Sequence, residues 1–194
     1  MQTSRLEAFS DGVIAIIITI MVLELTVPDG AELGALAALA PELLSYVLSF
    51  VYVGIYWSNH HHMLHTLDTT NGSILWANLH LLFWLSLIPF STAWMGETAF
   101  AARPVALYGV ILLCASLAYL LLQRTIIRHQ GEGSVLARAV GRDSKGLGSP
   151  FLYVLAIGAS FFSQRLAGAI YVAVAILWLV PDRRIERALA DAKR

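Results

Sequence analysis

Apolar runs separated by short polar breaks organise the whole chain. They cover residues 6–27, 39–62, 74–94, 104–123, 150–162 and 166–180. The first ends at Pro28-Asp29-Gly30, the fourth opens on Pro104 as a good first-turn residue, and the last stops at Pro181-Asp182. The first four hold about 20 residues each, and a helix of that length spans the hydrocarbon core of a bilayer. The last two are shorter. Ser163-Gln164-Arg165 between them reads either as a tight turn or as a polar step within one longer segment. The pattern predicts an all-α integral membrane protein built as one domain over residues 1–194, with six transmembrane helices. No repeat of 20 to 50 residues is visible.

The basic residues choose between the two readings of the last segments. An even number of crossings puts both termini on one side. Arg5, then Arg124, Arg128, Arg138, Arg142 and Lys145, then Arg183, Arg184, Arg187, Lys193 and Arg194 fall on that side, eleven of the 13 Lys and Arg. Arg103 and Arg165 fall on the other. The positive-inside rule then makes both termini cytoplasmic. Merging the last two segments would carry the basic C-terminus across, so the charges favour two crossings. Residues 131–149 read as a polar, Gly- and Arg-rich inner loop, and the tail after Asp182 as a short cytoplasmic helix end.

Composition sharpens the class. Of the 194 residues 58% are hydrophobic and 13% charged, and the mean hydropathy is +0.69. A soluble domain of this size has too little interior for so much apolar surface. Formal net charge is zero, which removes the electrostatic case for nucleic-acid binding. The single cysteine, Cys114, excludes an intrachain disulfide and reads as a small buried apolar residue. The first segment carries Asp11 and Glu24 and ends without an A-x-A-like site, so it is expected to stay in the mature protein rather than serve as a signal peptide. The Trp and Tyr residues, with Trp94, Tyr171 and Trp178 as examples, read mostly as interface anchors.

The first segment concentrates the chemistry. On a helix Ile16 and Leu23 lie within about 20° of each other, Thr19 and Ile20 flank that line, and Asp11 lies about 140° from Ile16. One face is thus apolar with a single hydroxyl, and another carries Ser10 and Asp11. An ionised group within a span costs a few kcal/mol unless it is paired or wet. Matching depths supply candidates, and a polar layer of Arg5, Ser10, Asp11, Asn59, His60, His61, Asn78 and His80 is expected to lock the first helix against the second and third. Arg5, about 20° from Ile16, is expected to be neutralised by Asp11 or Glu7.

Arg5-x-x-x-Phe9-Ser10-Asp11-Gly12-Val13-x-Ala15-Ile16, then Thr19, Leu23-Glu24 and Val27-Pro28, resembles the signature of the transmembrane protein 175 family of potassium-permeable channels. Trp57 with His60-His61, and Asn78 followed by Ile88-Pro89-Phe90, are similar to the family's second and third helices. The resemblance is specific over residues 5–28, fair over 55–92 and weak beyond. Animal members carry two such repeats, and this chain has one, as bacterial members do. The resemblance implies a homotetramer in the bacterial plasma membrane, passing potassium through a non-canonical pore lined by the first helix. It implies that Ile16, Thr19 and Leu23, with Ile20 adjacent, are pore positions. No TVGYG filter is present. Selectivity would then rest on a hydrophobic constriction of Ile16 and Leu23 and on the Thr19 hydroxyls, while Glu24 at the outer mouth raises the local cation concentration.

Other readings weigh less. The Asn59-His60-His61-His62-Met63-Leu64-His65 run puts His61 and His65 on one helical face, yet a zinc site usually takes a third ligand and only Asp68 is near in sequence, so no metal or other cofactor is expected. Those histidines could instead make gating pH-sensitive. No nucleophile elbow, phosphate-cradling loop or paired catalytic carboxylates occur, so an enzyme is not expected. The rivals to a channel are a proton-coupled secondary transporter using the Asp11 and histidine layer, and a non-conducting membrane scaffold.

Overall fold

A computed structural model describes residues 3–67, 69–140 and 144–179. All regular structure among them is helical: α1 Thr3–Leu23, α2 Leu33–Ala38, α3 Ala40–Leu64, α4 Gly72–Ser86, α5 Ile88–Glu97, α6 Ala102–Gln130, α7 Val135–Val140, α8 Ser144–Ser160 and α9 Gln164–Leu179. Asp68, Arg142, Pro181-Asp182 and the basic tail from Arg183 to Arg194 lie outside the described residues, as do the side chains of Ser144 and Lys145.

Three stretches are long and apolar enough to cross a membrane: Thr3–Leu23, Gly72–Glu97 and Ala102–Gln130. α3 has 25 residues but carries more polar groups, and α8 and α9 are shorter. Several boundaries differ from the sequence reading: α1 stops at Leu23 rather than residue 27, α2 lies between the first two apolar runs, and α7 and the first turns of α8 lie in the stretch read as an inner loop. Two further differences have a local cause. The expected continuous helix 74–94 is two helices meeting at Leu87, because Pro89 in the first turn of α5 has no N–H to give the carbonyl one turn back. α6 runs past Gln123 to Gln130 and ends at Gly131, whose φ of 90° closes the helix as a residue with a Cβ rarely does.

α6 is the central helix, packed against α4, α5, α8 and α9, while α3 packs against α5 and α9. α1 lies on the outside of this bundle, touching chiefly α3, α4 and α5. The bundle is held by more than apolar contact. Tyr52 of α3 donates its hydroxyl to the Tyr171 carbonyl of α9 at 2.7 Å, and Tyr171 donates to the Val105 carbonyl of α6 at 3.0 Å. Thr92 of α5 donates to Ser49 of α3 at 2.7 Å, and Ser49 to the Tyr108 hydroxyl of α6 at 3.1 Å. In an apolar surrounding each such bond ties two helices while satisfying a group whose exposure to hydrocarbon is costly. Gly96 lets α5 approach α3, since a Cβ there would sit 2.8 Å from Glu42 Cα. Gly109 does the same for α6 against α9, leaving no room beside the Tyr171 hydroxyl.

Candidate functional site: the faces of the first helix

α1 buries one stripe, Leu6, Ser10, Ile14, Ile17 and Met21, at intervals of four and three that keep it on one side of the helix. The line through Ile16 and Leu23 lies about 130° round the helix from that stripe by its 3.6-residue pitch. It is left uncovered: Ile16 is 59% exposed, Leu23 75% and Ile20 41%, and Thr19 is exposed as well. Thr19 donates its hydroxyl hydrogen to the Ala15 carbonyl at 2.9 Å, one turn back. That bond commits the hydrogen to the helix and leaves the oxygen lone pairs facing outward.

The one polar group in the buried stripe starts a directed chain of hydrogen bonds. Ser10 donates to the Leu6 carbonyl at 2.8 Å, so its oxygen is free to accept. Asn78 of α4 supplies the donor, Nδ2 at 2.9 Å. The Asn78 amide orientation is thereby fixed, and its Oδ1 accepts from His60 Nε2 of α3 at 2.7 Å. His60 must therefore carry its hydrogen on Nε2. Ser10, His60 and Asn78 are all buried, at 0%, 1% and 0% exposure. The result is a lock joining α1, α3 and α4 in which each polar atom has one role.

Asp11 lies beside this lock and outside it. Its Oδ1 accepts from Trp57 Nε1 of α3 at 3.0 Å at an exposed position. Trp57 stacks on His61, with ring centroids 5.9 Å apart, and His61 meets His65 edge-on at 4.3 Å. The polar layer expected from sequence is thus divided. Ser10, His60 and Asn78 come together. Asp11 is joined to Trp57, a partner the sequence reading did not name. Among the described residues the anticipated pairing of Arg5 with Asp11 or Glu7 is not formed; Asp11 lies about 120° round the helix from Arg5, and the Trp57 indole holds its carboxylate on the α3 side. Asn59 turns back to its own helix, bonding the Ile55 carbonyl at 2.8 Å, and His80 accepts from Trp84 Nε1 at 3.0 Å. Depth along the helices could have revealed Trp57: Asp11 lies about 12 Å from the start of α1 and Trp57 about 10 Å from the end of the antiparallel α3. Among the described residues no group of three or more His, Cys, Asp or Glu is placed to hold a metal.

Glu24 stands just past the end of α1, exposed, and with Ile20, Phe90, Trp94 and Glu97 lines a cleft of about 580 Å³ between α1 and α5. Glu42 lies nearby and accepts from the Thr26 backbone at 3.4 Å. This end of α1 therefore carries carboxylates and the other carries Arg5.

With these faces in place, comparison with known proteins is informative. Residues 5–89 match the family model described as endosomal/lysosomal potassium channel TMEM175. A potassium channel of Chryseobacterium sp. (strain P1-3) is 53% identical over 191 residues, covering 98% of this chain and 100% of the relative. A potassium channel of Streptomyces collinus is 32% identical over 91% of both chains. The endosomal/lysosomal proton channel TMEM175 of Homo sapiens is 34% identical over 68% of this chain and 29% of its own length. Among solved structures, the crystal structure of a lysosomal potassium-selective channel TMEM175 homolog from Chamaesiphon minutus superposes with a TM-score of 0.81 at 29% identity, covering 93% of this chain and 97% of that one. These relatives are membrane channels rather than enzymes, and the chain belongs to the TMEM175 family of ion channels.

Proposed function

We propose that the chain is one subunit of a homotetrameric channel of the bacterial plasma membrane that passes potassium in preference to sodium, with α1 of each subunit facing the central axis. Each subunit crosses six times, through α1, α3, the α4–α5 pair, α6, α8 and α9, with both termini in the cytoplasm. The observation that carries the reading is the two-faced α1. One stripe is locked into its own subunit by Ser10, while Ile16, Thr19, Ile20 and Leu23 are left uncovered in the isolated subunit. Rings of Ile16 and Leu23 would close the path by excluding water. The Thr19 oxygens, their hydrogens committed to Ala15, would offer lone pairs to an ion that has shed part of its water. Glu24 would gather cations at the outer mouth.

Reconstitution into liposomes with opposed potassium and sodium gradients tests this. The reversal potential should move toward the potassium equilibrium value, and Ile16→Asn should give larger, less selective currents. Unchanged currents in that variant would remove Ile16 from the pore. The vertebrate relatives, named proton channels, favour protons as a second permeant ion. A pH gradient at equal potassium on both sides decides that point, through a shift of the reversal potential with the gradient or none. Saturable, proton-coupled rubidium flux without unitary currents would instead make the protein a transporter.

A further inference from the structure

We propose that His129 is a pH-sensitive clamp on the start of α4: the neutral ring holds the α3–α4 loop, and the protonated ring releases the cap of α4. The end of α6 reaches this loop at three points. Gln130 Nε2 donates to the Thr66 carbonyl at 2.6 Å, His129 Nε2 meets the Thr69 hydroxyl at 3.2 Å, and His129 Nδ1 meets Asn71 Nδ2 at 3.1 Å. Asn71 is the N-cap of α4, and its Oδ1 accepts from the Ile74 N–H at 3.0 Å. That bond fixes the amide orientation. Nδ2 is then the atom turned toward His129, and it can only donate. His129 Nδ1 must therefore present a bare lone pair, so the ring hydrogen sits on Nε2 and is donated to Thr69.

A second proton on the ring goes to Nδ1 and sets donor against donor. Turning the Asn71 amide over would offer its oxygen to the ring but leave Nδ2 facing the Ile74 N–H, again donor against donor. The cap and the imidazolium exclude each other. Ile74 is 0% exposed, so water does not readily replace the lost acceptor. His129 and Thr69 are exposed, so protons reach the ring without unfolding. The other charged or titratable groups on the elements around it are Arg124 and Arg128 of α6, Glu132 just beyond, and His65 at the start of the loop; α4 carries only His80, about two turns along, and Asp68 lies outside the described residues. None of those described is hydrogen-bonded to the ring. Ile74 stands one turn before Asn78, whose amide holds Ser10, so the clamp bears on the seat of α1. The inference rests on the proposed topology only in making the sensed pH that of the cytoplasm.

Amide hydrogen exchange of the full-length protein in mild detergent tests the clamp, read by mass spectrometry over residues 72–78 and over α9 as reference. Rates are compared at about pH 8 and about pH 5.5, across the imidazole range, and corrected for the intrinsic effect of pH on exchange. In the wild type, exchange over 72–78 should be about fivefold faster at the lower pH, the loss expected for a helix cap, with α9 unaltered. His129→Gln, which cannot titrate, should remove the response. Asn71→Asp should reverse it. One oxygen of the new carboxylate, still ionised at the lower pH, caps Ile74, while the other now accepts from the protonated ring, so acid slows exchange. A purely structural role for these side chains predicts no such inversion, and either variant serves if the other misfolds. Equal corrected rates at both pH values in the wild type, equal acceleration in α9, a response retained in His129→Gln, or one of unchanged sign in Asn71→Asp would each overturn the proposal. Exchange is read without any ion flux, so failure here is separable from failure of the channel reading.

Discussion

Asn78 gives the sharpest test of how α1 is held. Replacing it by Ala removes two buried bonds, the 2.7 Å contact with His60 and the 2.9 Å contact with Ser10. The losses are unequal. Ser10 still donates to the Leu6 carbonyl, so it loses only a bond it accepted. The His60 N–H loses its sole acceptor at a position 1% exposed. An orphaned buried donor costs about 1–3 kcal/mol, and the vacated side chain adds a small cavity, so Asn78→Ala should destabilise by about 2–4 kcal/mol. Ser10→Ala leaves one amide hydrogen of Asn78 unpaired and should cost about 1–2 kcal/mol.

The double variant decides whether the chain of bonds is real. Once Asn78 is gone, no amide remains for Ser10→Ala to orphan, so the two costs should fall short of their sum by about 1 kcal/mol. Unfolding in mild detergent, followed through the fluorescence of the five tryptophans, measures all three variants against wild type. Leu79→Ala, a change at a 40% exposed position on the same helix, is the control and should cost under about 1 kcal/mol. Strict additivity of Ser10→Ala and Asn78→Ala, or a cost for Asn78→Ala no larger than the control, would refute the directed lock.

Other expectations follow from single contacts. Gly109→Ala places a methyl against the Tyr171 hydroxyl and 2.8 Å from Ile157 Cγ1, so it should cost about 1–3 kcal/mol and lower the melting temperature; an unaltered melting point would show that α6 and α9 can part freely. Trp57→Phe frees the Asp11 carboxylate from its 3.0 Å bond, and Asp11→Ala removes it; both should reduce the yield of assembled protein in size-exclusion chromatography before they alter conduction. Normal yield of Asp11→Ala would count against a structural role for that carboxylate.

The sequence declares the α-helical membrane class because that information is one-dimensional: long apolar runs and a one-sided distribution of arginines need no knowledge of neighbours. Helix ends were legible only where a local rule applied. Gly131 closes α6, yet the polar residues Gln123, Arg124 and Arg128 disguised its last turns as loop, since a helix leaving the bilayer changes its surface without changing its hydrogen bonds. The break at Leu87 was hidden for the opposite reason, because the apolar run continues across it and only Pro89 signals the change. The site shows the same division more sharply. That Ser10 and Asp11 need partners follows from the cost of a bare polar group in hydrocarbon. Which partners they take depends on the rotation of α3 and α4 about their own axes, which is set by the packing of α3 on α5 and α9 and of α4 on α6. Ser10 and Asp11 are neighbours in sequence and 100° apart on the helix, so one reached Asn78 on α4 and the other Trp57 on α3.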